Sequence, residues 1–316
     1  MWLHVYCTRA ARGRACSPAG FSDTLSRIRH QRARLPVSST FRDDFVIDSR
    51  DYEEFSRFLS ECCGLVLGDS RQYLVSSRLS RLLDEFGYKS VPELLHAMRQ
   101  APNPRLRTRV IDAMTTNETS WFRDGFPFEI LRHVLLPERA EKGAGIKVWS
   151  SGCSSGQEAY SISMVVSEWE ESRPRRVVPV SIMGTDLSEK ILDDARRAVY
   201  DGLSIVRGLS EARRARFFET VAEGHRVRPE IQRRCRFQKL NLIDSYAALG
   251  KFDIVFCRNV LIYFSAETKR QVLDGIARQM NPGGYLFLGA SETAGPYTQA
   301  FETVRTEYGS VLRLKG

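Results

Sequence analysis

No apolar run in this chain approaches the ~18–20 residues that a membrane-crossing helix requires, which argues against a spanning protein and against direct membrane insertion. Cysteine is scarce and unpatterned. Its seven residues are an odd set with no C-x-x-C pair, so neither a disulfide framework nor a metal site is indicated, and reduced thiols acting as small apolar fillers are expected. Acidic residues are nearly missing from positions 1–40, where seven arginines face the single acid Asp23 and supply +6 of the net charge of +9. Positions 41–316 then hold 40 basic and 37 acidic residues, too even a balance for a surface that tracks phosphates, and no nucleic-acid partner is expected. Also missing are a Ser-His-Asp pattern, an internal repeat, G-x-G-x-x-G and G-x-x-x-x-G-K-[ST]; the last two absences disfavour a dinucleotide and a nucleoside triphosphate.

What is present falls into three stretches. Residues 1–40 read as an Arg-rich disordered leader. Residues 41–115 read as an all-α domain of four helices. In the first, Asp48 or Ser49 caps a face of Tyr52, Phe55, Leu59 and Cys62, and Gly64 ends it. In the second, from about Arg71 to Phe86, Val75, Leu79, Leu82 and Phe86 point inward and Gly87 follows. Ser90-Val91-Pro92-Glu93 is a capping box opening the third, and Leu106, Val110 and Met114 form the inner stripe of the fourth, over about 105–115.

Residues 116–316 alternate apolar strands with helices, which implies a parallel sheet covered on both faces. Strands are expected at 146–149, 178–184 and 252–257, with helices at 157–170, from Ser188, and at 266–280. Asn281-Pro282-Gly283-Gly284 reads as a tight turn into a strand at 285–289, and 308–314 as a final edge strand. The stretch of about 201–239 is too long for a crossover and is expected to form an inserted antiparallel β subdomain, with a helix over 210–218.

Four segments carry the chemistry. Ser151-Gly152-Cys153-Ser154-Ser155-Gly156-Gln157-Glu158 lies between a strand and a helix, where glycines let a ligand approach the backbone and the helix start offers unpaired N–H groups. Asp186 follows the next strand, where an acid accepts ribose hydroxyl protons; capping the following helix is the other use for it or for Ser188. Together these two point to an adenosine moiety without a polyphosphate. Thr115–Asp124 joins the two domains and packs hydroxyls, an amide, two aromatics and Arg123 into ten positions; a solvated loop with helix caps is the plain alternative. Arg258 and Asn259 follow an apolar strand into the crevice above the sheet, and Tyr263 either reaches the same place or packs in the core.

Taken in order, "MTTNETSWFRD", "WSSGCSSGQEAYSI", "GTDLS", "RVRPEIQRRCRFQKLNL", "FDIVFCRNVLIYF" and "NPGGYLFLGASE" resemble the CheR-type chemotaxis receptor methyltransferase family over residues 45–316. The resemblance implies an α/β Rossmann-like S-adenosylmethionine-dependent methyltransferase domain with a small antiparallel β subdomain, preceded by an all-α N-terminal domain. It implies S-adenosylmethionine as methyl donor, S-adenosylhomocysteine as product, no metal, and glutamate side chains on the cytoplasmic helices of methyl-accepting chemoreceptors as acceptors. By the same resemblance Asn117, Thr119 and Arg123 line the cofactor and transfer site, beside the Gly152 turn. Glu158 holds the methionine ammonium, Asp186 the ribose, and Asn241-Leu242 with Arg258-Asn259 flank the adenine or methionine portions. Tyr263 stands near the reacting methyl. The chain departs from the family pattern at Trp121, Gln157 and Ala159, and it lacks the longer glycine-containing insertion with which some members grip a receptor's C-terminal peptide, so no such tether is expected.

A glutamate carboxylate, with a pKa of ~4.3, is ionised near neutrality and needs no general base. That agrees with the absence of histidine from the four segments. Arg123 and Tyr263 are the expected catalytic pair, orienting the carboxylate. Arg71, Arg78 and Arg81 share one flank of the second helix and are expected to dock acidic receptor helices, unless that flank is an ordinary solvated basic edge. A monomer in the cytoplasm, recruited to membrane receptor arrays, completes the expectation. Two other readings share the cofactor site: a non-catalytic S-adenosylmethionine-binding scaffold, and a nucleic-acid methyltransferase. The second conflicts with Cys257-Arg258-Asn259-Val260 at a strand end where an Asn/Asp-Pro-Pro-aromatic tetrad would stand.

Overall fold

The computed structural model describes residues 45–68, 71–100, 103–173 and 178–316; the expectation for residues 1–40 lies outside them. Helices α1 (Ser49–Cys63), α2 (Gln72–Phe86), α3 (Val91–Gln100) and α4 (Pro104–Met114) form the first domain. Asp48 caps α1 by accepting the Asp51 N–H at 2.8 Å, and Asn103 caps α4 through the Leu106 N–H at 3.1 Å. Gly64 and Gly87 end α1 and α2 in the left-handed conformation, and the helices close around buried Phe55, Leu59, Leu79, Leu83, Leu94 and Val110. Two details differ from the sequence reading. The ladder Phe55–Leu59 continues at i+4, so Cys63 is buried and Cys62 only half-buried. In the capping box, Glu93 reaches the Lys89 N–H at 2.8 Å, one residue before the Ser90 cap.

Residues 126–141, unassigned from sequence, make one continuous helical rod: α5 (Phe126–Ile130), a π-helical turn (Leu131–Leu135) and α6 (Leu136–Glu141). The sheet then follows as β1 (Ile146–Ser151), β2 (Val180–Asp186), β6 (Cys235–Lys239), β7 (Phe252–Cys257), β8 (Met280–Leu288), β9 (Phe301–Thr306) and β10 (Gly309–Leu314), interleaved with α7 (Gln157–Ser172), α8 (Glu189–Arg197) and α12 (Ala266–Arg278). Its order is β6-β2-β1-β7-β8-β10-β9, with β6, β2, β1, β7 and β8 parallel and β10 antiparallel to both neighbours. The chain leaves β1 toward β2 and β6 and returns on the other side through β7 and β8. The strand order therefore reverses between β1 and β7, the switch point where α/β sheets open a ligand crevice.

Three sequence expectations are corrected here. Residues 281–284 are not a turn before a strand. They bulge within β8, whose register jumps from Phe252↔Met280 to Ile254↔Tyr285, with Asn281 Nδ2 held by Asp253 Oδ1 at 2.9 Å. β10 is not an edge; the edge is β9, a short alternating strand overlooked in the sequence. The antiparallel insertion is β3 (Val199–Tyr200), α9 (Gly202–Val206), α10 (Glu211–Phe217), β4 (Phe218–Val221) and β5 (Gly224–Val227), in the order β3-β5-β4. After α11 (Pro229–Gln232) the chain turns back, and residues 235–239 of the expected insertion pair with β2 in the main sheet.

The small sheet is fastened to the interdomain loop by Trp121. Its fully buried ring lies edge-on to Tyr200 and Phe218, with centroids 4.8 and 5.1 Å away, and its Nε1 donates to the Ser204 carbonyl at 3.0 Å. The Trp121 N–H donates to the Arg207 carbonyl at 3.1 Å. This approach requires Gly208, which has φ +88° and whose added Cβ would stand 2.0 Å from the Trp121 carbonyl oxygen. Gly208→Ala is expected to destabilise far more than Gly87→Ala, where φ is +73° but the space is open. The second should cost about 1–2 kcal/mol and the first about 1–3 kcal/mol beyond that, as read from denaturant midpoints; equal midpoints would show that the loop is not held this way.

Candidate active site

At the carboxyl ends of β1, β2, β6 and β7 lies a cavity of about 260 Å³, roofed by the start of α2, the segment 65–67 and the interdomain loop. Its floor begins where β1 ends. Gly152 has φ +70°, and a Cβ there would come within 2.4 Å of Val260 Cγ2, so no side chain intrudes. Ser154, also left-handed at φ 51°, donates its N–H to Asp186 Oδ2 at 2.8 Å and its hydroxyl to the Asn117 carbonyl at 3.1 Å. Asp186 Oδ1 accepts the Ser188 N–H at 3.1 Å, while Ser188 itself caps α8 through the Ile191 N–H at 3.3 Å. The capping role therefore falls to Ser188, and Asp186 keeps a lone pair on each oxygen for a ligand. Burial raises its pKa above the ordinary 3.8; the N–H groups of Ser188, Ser154 and Leu187 partly oppose that, and Asp112 adds to it.

Glu158 stands in the first turn of α7. Its Oε1 accepts the Ser150 hydroxyl at 2.7 Å and its Oε2 the Arg258 Nη1 at 3.0 Å. Arg258 is held at both terminal nitrogens: its side chain is 1% exposed, Nη2 donates to Asp124 Oδ2 at 2.6 Å and to the Arg123 carbonyl at 2.8 Å, and only its buried Nε is without a partner in the protein. Its guanidinium thus ties β7, α7 and the interdomain loop together. Asn259 follows in the left-handed conformation at φ 59°, and its buried Oδ1 has no hydrogen-bond partner in the protein.

Every sequence-derived cofactor or catalytic residue lines this one cavity: Asn117, Thr119, Arg123, Gly152, Glu158, Asp186, Asn241, Leu242, Arg258, Asn259 and Tyr263. Asn241 is also a strut, its Nδ2 donating to the Cys62 carbonyl at 3.0 Å. Arg123 Nη1 reaches the Glu118 carbonyl at 3.3 Å, and the Tyr263 carbonyl accepts the Val66 N–H at 2.9 Å, locking the first domain over the crevice. The three arginines of α2 separate. Arg71 lines the cavity with its guanidinium 5.9 Å from the centre of the Tyr263 ring, Arg78 donates to the Met114 carbonyl at 3.3 Å, and Arg81 is exposed outside the cavity. Asp124, Ser150 and Glu292, which brace the site, were missed in the sequence. All three lay within segments that the sequence marked, Asp124 ending Thr115–Asp124, Ser150 just before the glycine turn and Glu292 closing 281–292, but none was assigned a role.

The chemistry on offer is narrow. No histidine lines the cavity, and its two thiols are poor nucleophiles: burial pushes Cys63 up to about 11 and also raises Cys153 well above the ordinary thiol value, the latter aided by the anions of Asp186 and Glu158. Among the described residues no cluster of metal-ligating side chains occurs, and no helix is long and apolar enough to cross a membrane. What remains is a glycine cradle, the carboxylates of Glu118, Glu158 and Asp186 and an unpartnered amide oxygen, a set that suits hydroxyl and ammonium donors.

Comparison with known proteins agrees with this geometry. Residues 50–115 match the family described as "CheR methyltransferase, all-alpha domain", and residues 117–309 match "CheR methyltransferase, SAM binding domain". A chemotaxis protein methyltransferase of Vibrio parahaemolyticus is 50% identical over 271 residues, 85% of this chain and 98% of that protein. Chemotaxis protein methyltransferase 1 of Vibrio cholerae is 49% identical over the same shares, and that of Pseudomonas aeruginosa is 49% identical over 84% of this chain and 98% of its own length. With both domains matched in order over most of its length, this chain belongs to the CheR methyltransferase family and uses S-adenosylmethionine.

Proposed function

We propose that this chain esterifies glutamate side chains on the cytoplasmic helices of methyl-accepting chemoreceptors. The observation that carries the reading is a cavity holding Arg71, Arg123 and Tyr263 together with the carboxylates of Glu118, Glu158 and Asp186, and lined by no histidine. An acceptor that had to lose a proton would need a base there; an ionised carboxylate needs only to be positioned. When bound, S-adenosylmethionine supplies a methyl group on a sulfonium, already activated toward an anionic oxygen.

The protein's own residues do the rest. Asp186 accepts the ribose hydroxyl protons on its two remaining lone pairs. Glu158 takes the ammonium, and Arg258 keeps the Glu158 carboxylate aimed. Asn117, Thr119, Asn241 and Leu242 complete the walls, and Asn259 offers its open amide oxygen. Arg123 and Tyr263 orient the incoming carboxylate. Holding reactants in line and excluding water from the nucleophile supplies about 7–11 kcal/mol of barrier reduction in well-positioned systems. Arg71 at the mouth and exposed Arg81 on the same helix attract acidic receptor helices; Arg78 is partly spent on the Met114 carbonyl and contributes less. Recruitment of a monomer from the cytoplasm to receptor arrays fits this docking.

Three outcomes are expected. Arg123→Ala and Tyr263→Phe lower the rate of methyl-ester formation on a receptor cytoplasmic fragment on the order of 10- to 100-fold, counted as methanol released by alkali, with S-adenosylhomocysteine affinity retained in Tyr263→Phe; unchanged turnover in both removes their role. Asp186→Ala weakens S-adenosylhomocysteine binding roughly 10- to 100-fold by calorimetry. Because the Asp186 pKa is raised, the acid loss of that affinity begins above pH 3.8, as protonation removes the acceptor. In folding the sign is opposite: this group favours the folded state below 3.8, and that contribution is lost as pH rises through the raised value, so the empty site costs stability near neutrality. Finally, added salt raises the KM for the receptor fragment by screening Arg71 and Arg81, and Arg71→Ala with Arg81→Ala reduces that salt dependence. A KM independent of salt refutes the docking.

A further inference from the structure

Glu292 does not line the cavity, yet three backbone N–H groups end on its carboxylate, two of them from the cavity-lining residues Asn259 and Ile262. Oε2 accepts the Asn259 N–H and the Gly289 N–H, both at 2.7 Å, and Oε1 accepts the Ile262 N–H at 3.2 Å. A carboxylate suits this task because it has two oxygens, about four lone-pair directions and no donor. The contact depends on a bare Gly289: a Cβ there would stand 2.7 Å from Glu292 Oε2, 2.7 Å from Asn259 Nδ2 and 2.9 Å from the Asn259 nitrogen.

The bound segments are those with the most to lose from freedom. Asn259 sits at φ 59°, a conformation that costs a side-chain-bearing residue about 1–2 kcal/mol and persists only where the surroundings enforce it. Its Oδ1 is buried and unpartnered at the cavity wall, so its direction matters. Ile262 lies at the centre of the 3-10 turn Leu261–Tyr263 that delivers Tyr263. One anion therefore clamps both the amide and the phenol that the proposed reaction uses.

We infer that Glu292 is a positioning residue, setting Asn259 for cofactor binding and Tyr263 for transfer while touching neither reactant. The inference deepens the function proposed above and rests on it. Its test is a double-mutant cycle read by S-adenosylhomocysteine calorimetry on the full chain, with turnover measured in parallel. Asn259→Gly removes the side chain but tolerates the left-handed backbone. Glu292→Ala alone should weaken binding about tenfold and lower kcat, leaving the KM for the receptor fragment unchanged. In the Asn259→Gly background the same substitution should weaken binding about twofold or less, because its effect passes through the missing amide. Glu292→Gln keeps the packing but turns an NH2 toward N–H donors; it should reproduce the pattern at smaller amplitude, and it carries the cycle if Glu292→Ala does not fold. Effects that multiply in the double variant, or wild-type affinity in both Glu292 variants, would overturn the inference. No uptake by the wild-type protein would instead strike down the proposed function, and the inference with it.

Discussion

The guanidinium of Arg258 is removed from water almost completely, and an isolated cation in that position would not be tolerated. It persists because Glu158 and Asp124 each give it an oxygen and the Arg123 carbonyl a third. Breaking such a buried pair from one side typically costs about 3–5 kcal/mol. These bonds join the end of a central strand, the start of the helix after the glycine turn, and the loop that enters the domain. The cavity's shape is therefore largely the shape of this one charge cluster, and Glu158 faces the cavity with its ionised form already compensated.

Around this cluster the backbone is unusually constrained. Phe122, Asp124, Ser154 and Asn259 all adopt positive φ, and the cavity is lined by Ser154 and Asn259 and by Arg123 between the other two. Each is held from outside the segment it belongs to. The Phe122 N–H bonds the Ser161 hydroxyl, Asp124 meets Arg258, Ser154 meets Asp186, and Asn259 meets Glu292. Arg213, paired with Glu168, further stacks on the Phe122 ring with its guanidinium carbon 3.8 Å from the centroid. Local strain of this kind survives only under tertiary enforcement, and it is concentrated where side chains must point at a ligand.

The helical domain is part of the same construction. A short bridge pairs Leu65 with Phe264, Asn241 reaches the end of α1, and Arg71 stands over the ring of Tyr263. The crevice is thus closed by a second hydrophobic core built around α1–α4, which brings Arg71 to a site lined by three arginines and three acids.

Much of this was readable along the chain. Periodicity and caps located the helices because Asp48, Gly64, Gly87 and Ser90 act within a turn of their own position. The strand-end residues of β1, β2 and β7 entered one cavity because a parallel sheet brings its carboxyl ends together whatever lies between them. Two errors fell where partners are distant: the bulge at 281–284 is held by Asp253, and residues 235–239 join the main sheet because β2 leaves an open edge; the third, β9, is a local hairpin with β10 whose short alternation was overlooked. Residue types and order along the chain therefore determined the domain sequence, the cofactor class and the cavity's inventory, since those depend on local pattern and strand-end position. Tertiary structure alone decided which of those groups remain open to a ligand and which are spent on one another, as Arg258, Asn241 and Glu292 are, because lone pairs and donors are committed across more than thirty residues of chain.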